Sequence, residues 1–233
     1  RTDGGSQFVS FSRDGGDTWT PLRASKIISP RSPATIERIP AVDGTGNQYY
    51  AAYDDTNDEV FLHKVSPAGV VDAAFSANAT ITGVRDESVT GTSGVGNLTA
   101  PIIVGGNVFV GVTGPWGGTT ANPKEKYRIY GFDLSNGNPT STPFVDPNPS
   151  IHSLDTSRIT GMAKYGDTLL VQGFHGTIPN PFFKRAHVLA IDADPASGTF
   201  MQLDTSYWSS GIKRFGSGTN ALPGVAPVVD TAK

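Results

Sequence analysis

The feature that most constrains the fold is a short phrase that returns along the chain at a fixed spacing. A glycine, one or two polar residues and a run of apolar or aromatic residues follow one another at Gly46, Gly106 and Gly166, so the phrase returns every 60 residues. Glycine readily adopts the positive φ of tight turns, and runs of this composition favour β-strands. The internal repeat therefore predicts a chain made of similar β-sheet units.

Each unit continues with another strand and a further turn. Residues 127–133 follow the second glycine and residues 187–192 follow the third, and the turns that end them contain Gly137 and Gly198. A period near 60 residues with about four strands in it is typical of a β-propeller with elongated loops. We predict an all-β chain that forms a β-propeller, or part of one, from four-stranded antiparallel blades.

The repeat also suggests how the 233 residues are organised. We expect one propeller domain or propeller fragment, with a partial blade at roughly 1–30, fuller blades at roughly 31–90, 91–150 and 151–215, and a partial blade at 216–233. A chain that begins and ends within a blade favours a fragment, because unpaired sheet edges would otherwise be left exposed. Such edges also predict self-association. In the alternative arrangement, the first and last strands complete one shared blade.

Composition excludes several classes of function. Charged residues make up 17% of the chain and the net charge is −3, which disfavours nucleic-acid binding. No apolar run approaches the roughly 20 residues of a membrane-spanning helix. The chain has no cysteine, so a disulfide framework and thiolate metal sites are excluded. Because the first residue is arginine without a leader sequence after it, we expect a mature or trimmed chain.

Residues 12–19 read Ser-Arg-Asp-Gly-Gly-Asp-Thr-Trp and lie between two β-type runs. The run predicts a hairpin, because Asp14 can accept hydrogen bonds from turn amides and its glycines permit positive φ. It resembles the Asp box, Ser-x-Asp-x-Gly-x-x-Trp, of the sialidase and BNR-repeat propeller families, with Ser12, Asp14, Gly16 and Trp19 in the four defining positions. The resemblance implies a structural element on an outer blade hairpin rather than a catalytic one.

A second resemblance to the sialidases lies at Arg38, which is followed by Ile39 and Pro40. In that family, an Arg-Ile-Pro motif carries an arginine that pairs with the substrate carboxylate, so the resemblance implies a ligand-binding role for Arg38. A glycosidase also needs an acid and a nucleophile or base. The spacing of the glutamates and aspartates assigns no such pair, and we therefore name no catalytic residue.

Phrases in the later units also resemble the repeats of quinoprotein-type propellers. They are residues 129–133 before Gly137 and residues 188–192 before Gly198. That resemblance implies pyrroloquinoline quinone as a cofactor in those enzymes. We do not assign the cofactor here, because Phe200 stands where the docking tryptophan of that family is expected and the chain has no cysteine pair.

Other candidate site residues lie in turns and long loops. Trp116 and His175 are candidates for ligand binding, because propellers present their loops around a central channel. Asp54, Asp55 and Asp58 offer hard oxygen ligands for Ca²⁺ in a hairpin loop, and no other metal site or cofactor is predicted. Asn78 and Asn97 begin sequons and are candidate glycosylation sites.

These observations favour a non-enzymatic protein that acts outside the cytoplasm. We predict a carbohydrate-binding or structural module at a cell or virion surface, with a glycan or a protein surface as its partner. The alternative is a sialidase-like glycoside hydrolase, and a quinoprotein-like oxidoreductase is a third class. A lectin should present exposed aromatic residues beside polar groups, whereas a hydrolase should place Arg38 with carboxylates in a central channel.

Overall fold

The computed structural model describes thirteen stretches of the chain: residues 2–3, 6–7, 9–11, 20–22, 35–36, 40–54, 58–84, 97–119, 122–140, 143–145, 156–176, 185–208 and 210–215. Within them the chain forms 18 strands and one helix. The strands are β1 (Thr2–Asp3), β2 (Ser6–Gln7), β3 (Val9–Phe11), β4 (Thr20–Leu22), β5 (Thr35–Ile36), β6 (Ala41–Val42), β7 (Gln48–Asp54), β8 (Glu59–Val65), β9 (Thr80–Thr82), β10 (Asn97–Leu98), β11 (Ile102–Val104), β12 (Asn107–Thr119), β13 (Asn122–Asp133), β14 (Phe144–Val145), β15 (Thr156–Tyr165), β16 (Thr168–Gly176), β17 (Arg185–Asp192) and β18 (Ile212–Phe215), and helix α1 is Ala73–Asn78.

Most of these strands form three antiparallel sheets that follow one another along the chain. The first sheet has the order β5-β7-β8-β9 with β6 also paired to β7, the second has β10-β12-β13-β14 with β11 also paired to β12, and the third has β15-β16-β17-β18. Two further antiparallel pairs are β1-β2 and β3-β4. Apart from β5 and β10, each of which pairs with the next strand but one, paired strands are consecutive in the chain, as antiparallel strands joined by short connections allow. The all-β class predicted from the sequence is confirmed.

The glycines of the repeated phrase lie in equivalent turns. Gly46, Gly106 and Gly166 have φ values of +84°, +81° and +57°, and each stands just before a long inner strand of a sheet, β7, β12 or β16. Only glycine adopts this region without steric cost, which explains why the phrase opens with it. The predicted turns at these three positions are therefore confirmed.

The first strand of each sheet is irregular at a similar depth. In the second sheet, one extra residue separates β10 from β11 relative to β12, and β15 carries one extra residue relative to β16. Threonines occupy both irregularities: Thr99 Oγ1 accepts a hydrogen bond from Gly111 N–H at 2.9 Å, and Thr160 Oγ1 donates to Gln172 O at 3.3 Å. In the first sheet, the register between β5 and β6 also shifts relative to β7.

Consecutive sheets pack against each other through two apolar clusters. The cluster between the first and second sheets includes Tyr49, Tyr53, Leu62, Phe75 and Phe132. The cluster between the second and third sheets includes Phe109, Tyr127, Ile129, Ile159, Leu169 and Ile191. Each such side chain stabilises the fold by about 1.5–3 kcal/mol when it is fully buried. The two clusters fix the order of the three sheets.

Helix α1 was not predicted from the sequence, which indicated strands and turns throughout. Asp72 caps its first turn by accepting a hydrogen bond from Phe75 N–H at 3.0 Å. The Phe75 ring packs edge-on against the Tyr49 ring with centroids 5.5 Å apart. The helix also touches the second sheet: a side chain at Gly137, which has φ +83°, would place Cβ 2.5 Å from Phe75 O. Among the described segments, no helix is long and apolar enough to cross a membrane.

The strands of the three sheets end at two opposite sides of the structure. At one side, which we call the turn end, lie the hairpins that join β6 to β7, β11 to β12 and β15 to β16, together with the turns that follow β8, β13 and β17. At the opposite side, the loop end, β7, β12 and β16 end and β8, β13 and β17 begin.

Candidate functional site

A group of three aromatic residues lies at the turn end of the third sheet, two of them exposed and the middle one half-buried. We call Tyr165, Tyr207 and Trp208 the aromatic surface. Tyr165 is 48% exposed and Trp208 is 38% exposed. The Tyr207 ring packs edge-on against both, with centroid distances of 6.4 Å to Tyr165 and 5.7 Å to Trp208. Large aromatic side chains are normally buried, so two exposed rings packed on a third form a candidate contact surface.

The backbone at Trp208 adopts an unusual conformation. Its φ is +47°, in the left-handed region that bulky residues rarely adopt. The turn is closed by Ser210 N–H donating to Trp208 O and Gly211 N–H donating to Tyr207 O, both at 2.7 Å. Residues held in this region cost about 1–3 kcal/mol and concentrate at functional sites. The turn thus holds the indole in place at a cost in backbone strain.

Polar groups lie beside the aromatic surface. The Asp204 carboxylate accepts hydrogen bonds from Ser206 N–H at 3.0 Å, Ser206 Oγ at 2.6 Å and Thr168 Oγ1 at 3.3 Å. Tyr207 N–H donates to the backbone oxygen of Asp204 at 3.2 Å. Asp167, in the hairpin two residues after Tyr165, is exposed. The surface therefore combines apolar rings with a rim of hydrogen-bonding groups.

The turn end also carries aspartates that organise tight turns. Asp43 accepts five hydrogen bonds, from the backbone and side chain of Thr45, the backbone and side chain of Asn47, and the Tyr49 hydroxyl, at 2.7–2.9 Å. Burial raises the pKa of Asp43, but these hydrogen bonds outweigh it and hold the pKa well below its usual value. The pKa of Tyr49 is raised, mainly by burial and secondly by its hydrogen bond to the negative Asp43. Asp43 is thus an ionised structural acceptor.

Asp133 organises a different turn, the one that follows β13 in the second sheet. Its Oδ1 accepts hydrogen bonds from Ser135 N–H at 2.7 Å, from Ser135 Oγ and from Asn136 N–H at 3.3 Å. The Ser135 hydroxyl is the main cause of a lowered pKa at Asp133, and burial opposes it. Asp192 follows the same pattern in the third sheet. Burial raises its pKa, but hydrogen bonds from Ser197 and Thr199 outweigh burial, so the pKa lies below its usual value. Both carboxylates are ionised at neutral pH.

A cleft of about 480 Å³ lies at the turn end between these turns. Residues from all three sheets and their turns line it: Asp43, Tyr49, Lys64, Gly105, Gly106, Asn107, Asp133, Leu134, Ser135 and Pro195. Lys64 Nζ lies 3.6 Å from an Asp72 carboxylate oxygen. Asn107 is 3% exposed, and its Nδ2 has no hydrogen-bond partner in the described part of the chain. The cleft, which we call the turn-end cleft, is a second candidate site.

A polar cluster lies at the loop end between the first and second sheets. The Tyr53 hydroxyl donates to Asp58 Oδ1 at 3.0 Å, and Arg128 Nη1 donates to Val84 O at 3.3 Å. Burial raises the pKa of Tyr130, the Arg128 guanidinium lowers it, and the negative charge of Asp58 raises it. The cluster therefore places a carboxylate and a guanidinium near two buried phenols.

Half of the site residues predicted from the sequence lie outside the described part of the structure. The Asp-box residues Ser12, Asp14, Gly16 and Trp19 lie there, as do Arg38 and Asp55. The strands that flank the box, β3 and β4, are antiparallel, with Phe11 opposite Thr20, as the hairpin prediction requires. Trp116 lies in β12, His175 in β16 and Asn97 in β10, but the structure does not describe their side chains.

The remaining predicted residues are described. Asp54 ends β7 and is 1% exposed, and Asp58 has a φ of +54°. In the described ranges, no group of three or more histidines, cysteines, aspartates or glutamates could hold a metal ion, and Ca²⁺ binding at this loop stays a prediction. Asn78 is exposed, and its Nδ2 donates to Asn136 O at 3.0 Å. Glycosylation at Asn78 and Asn97 also stays a prediction.

Comparisons with known proteins identify no family for the chain. No family model matches the sequence, and no curated protein matches it. Among solved structures, the chain is similar to a "putative glycoside hydrolase from Parabacteroides distasonis ATCC 8503", with a TM-score of 0.34 and 14% sequence identity. The match covers 84% of this chain and 61% of that one. The chain thus spans less than two thirds of the length of that structure.

Proposed function

We propose that the chain forms part of a β-propeller that acts outside the cytoplasm as a non-catalytic glycan-binding module, with the aromatic surface as its binding site. The single observation that carries the proposal is that the exposed rings of Tyr165 and Trp208 both pack on the half-buried Tyr207 ring beside hydrogen-bonding groups. The two parts of the proposal, architecture and ligand, rest on different observations.

The propeller architecture is supported by the repetition of one sheet design. The second and third sheets each begin with an irregular first strand, continue through a glycine hairpin and have an aspartate turn before their last strand. Each sheet packs its face against the next through an apolar cluster. Successive antiparallel sheets packed face to face are what propeller blades require.

The glycan assignment follows from the chemistry of the aromatic surface. A pyranose ring has an apolar face made of C–H groups and a rim of hydroxyls. Tyrosine and tryptophan offer rigid apolar faces at a low cost in conformational entropy. The carboxylate of Asp204 and the exposed Asp167 can accept hydrogen bonds from the hydroxyls. A protein partner would favour a larger apolar area than three rings.

The experiment is a glycan array probed with the wild-type chain and the variants Tyr165→Ala and Trp208→Ala. Because buried aromatic anchors dominate binding interfaces, each variant should lose about tenfold or more of the affinity for the glycans that the wild type binds. Val70→Ala is the matched control, since Val70 is 63% exposed and lies in the turn after β8. Unchanged binding by Trp208→Ala would contradict the proposal.

A glycoside hydrolase is the second candidate, and the loop-end polar cluster is the observation that favours it. Asp58 accepts a hydrogen bond from Tyr53, and the charges of Asp58 and Arg128 both act on the Tyr130 hydroxyl. Carboxylates beside a phenol and a guanidinium are groups that glycosidases use. Release of a fluorescent aglycone from aryl glycosides, abolished by Asp58→Asn, would favour this candidate over a pure binding module.

A further inference from the structure

The side-chain amide of Asn107 is buried without a hydrogen-bond acceptor in the described part of the chain. It opens β12, is 3% exposed, and has a buried Nδ2 for which the described structure provides no acceptor. Buried polar side chains in native proteins nearly always have a partner, and exceptions call for an explanation such as a bound molecule. The equivalent residue of the third sheet shows the usual solution: Thr168 opens β16, and its hydroxyl donates to Asp204 at 3.3 Å.

Asp133 lies directly across the strand pair from Asn107. Directly opposed residues of an antiparallel pair place their side chains on the same face, about 5 Å apart at Cβ. The three hydrogen bonds that the structure gives Asp133 all end on Oδ1, which leaves Oδ2 as an acceptor. An amide donor and a carboxylate acceptor therefore stand side by side without bonding each other.

A hydroxyl group matches this pair, because a single oxygen can donate to the carboxylate and accept from the amide. Two neighbouring hydroxyls can engage the two side chains separately. Phosphate or carboxylate groups fit less well, because Asp43 and Asp133 are both negative and line the same cleft. The hydrogen bonds that hold the pKa of each below its usual value keep them ionised at neutral pH.

The cleft around the pair has the size and walls for a small ligand. Its volume of about 480 Å³ lies within the roughly 300–1,000 Å³ of ligand pockets. Leu134 and Pro195 supply apolar contacts, and the Lys64 ammonium lies on the wall formed by the first sheet. Gly105 cannot carry a side chain, because its φ is +56° and a Cβ there would lie 2.7 Å from Ala193 O.

We propose that the turn-end cleft binds a neutral polyhydroxylated ligand of monosaccharide size, with Asn107 and Asp133 hydrogen bonding to adjacent hydroxyls. The proposal takes its ligand class from the glycan-binding function proposed above. It uses no residue of the aromatic surface, so the cleft is a separate site. A propeller fragment with both sites would contact a glycan at two places.

Nuclear magnetic resonance of the Asn107 side-chain amide tests the proposal. The probes are cis-1,2-cyclohexanediol and methyl α-D-glucopyranoside, and cyclohexanol is the control that lacks the second hydroxyl. We expect saturable shifts of the Asn107 amide signals with both probes and none with cyclohexanol. Asn107→Leu and Asp133→Asn should each weaken binding of the glucoside, followed at backbone amides of the cleft, by about tenfold.

Two further variants separate this site from the rest of the account. Asn138→Ala changes an exposed residue of the Asp133 turn that does not line the cleft, and it should bind the glucoside as the wild type does. Trp208→Ala should also leave these shifts intact, even where it abolishes glycan binding at the aromatic surface. Absence of saturable shifts, equal shifts with cyclohexanol, or a long-lived water at Nδ2 that neither probe displaces would overturn the proposal.

Discussion

The Tyr127 hydroxyl lies 3.1 Å from Nε2 of His187, and the two rings are stacked with centroids 5.9 Å apart at an angle of 24°. Both side chains are at most 1% exposed. Tyr127 belongs to the second sheet and His187 to the third, so this pair joins two sheets through a polar contact inside an apolar cluster. A buried polar contact of this kind specifies how the sheets align, because few other alignments would satisfy both groups.

The pair predicts a strict requirement for glycine at position 173. Gly173 lies opposite His187, and a Cβ there would come within 2.8 Å of Nε2 and 2.6 Å of Arg158 O. We expect Gly173→Ala to destabilise the fold by about 1–3 kcal/mol, because the backbone oxygen cannot move away. Chemical denaturation measures the change. Gly198→Ala is the control, since nothing lies within 4 Å of its Cβ position, and an equal effect of both variants would contradict the prediction.

His63 predicts a loss of stability in mild acid. Burial lowers the pKa of His63 to about 4, from an ordinary value of 6.5. Below pH 6.5 His63 becomes protonated in the unfolded chain but stays neutral in the folded chain. The free energy of unfolding therefore falls between about pH 6.5 and pH 4, by about 3 kcal/mol in total. Denaturation curves at pH 7 and pH 4.5 should show this loss in the wild type and much less of it in His63→Gln. The same loss in both proteins would assign it to other groups.

Asp43 predicts that one carboxylate stabilises a whole turn. It accepts hydrogen bonds from Thr45, Asn47 and Tyr49, so Asp43→Ala should leave several donors without their acceptor. We expect a cost of about 1–3 kcal/mol in the free energy of unfolding. Asp167→Ala, in the equivalent hairpin of the third sheet, is the control with an exposed side chain. Thermal melting that ranks the two variants equally would argue against this role.

The backbone conformation of Trp208 should lower the stability of the fold. Trp208→Ala and Trp208→Gly remove the same indole, but only glycine relieves the left-handed backbone with its φ of +47°. We therefore expect Trp208→Gly to be more stable than Trp208→Ala by about 1 kcal/mol. Melting temperatures of the two variants provide the comparison. A glycine variant no more stable than the alanine variant would mean that the turn is not strained.

The local features of the fold could be predicted from the sequence, because they depend on residues close together in the chain. Gly46, Gly106 and Gly166 mark turns through their own backbone preference, and the all-β class follows from the runs after them. The helix of residues Ala73–Asn78 gave little periodic signal, since it is only six residues long. Its stability comes from Phe75, which packs on a tyrosine from another strand.

The candidate sites could not be predicted, because they combine residues far apart in sequence. Tyr165 joins Tyr207 and Trp208 only because β15 and β17 belong to one sheet and the turn between β17 and β18 lies at the turn end of that sheet. Asn107 and Asp133 face each other only once the register of β12 and β13 is known. The sequence instead indicated a site at the acidic run of residues 54–58, where the ligands are close together in the chain, whereas no motif surrounds Trp208.

The most direct test of the proposed function is calorimetric titration of the wild type, Trp208→Ala and Val70→Ala with the neutral oligosaccharide that binds best on the array. Our account predicts saturable binding by the wild type and Val70→Ala, with affinity about tenfold lower or absent in Trp208→Ala. Equal affinity in all three proteins, or no binding of any glycan by the wild type, would contradict the assignment of the aromatic surface as a glycan-binding site.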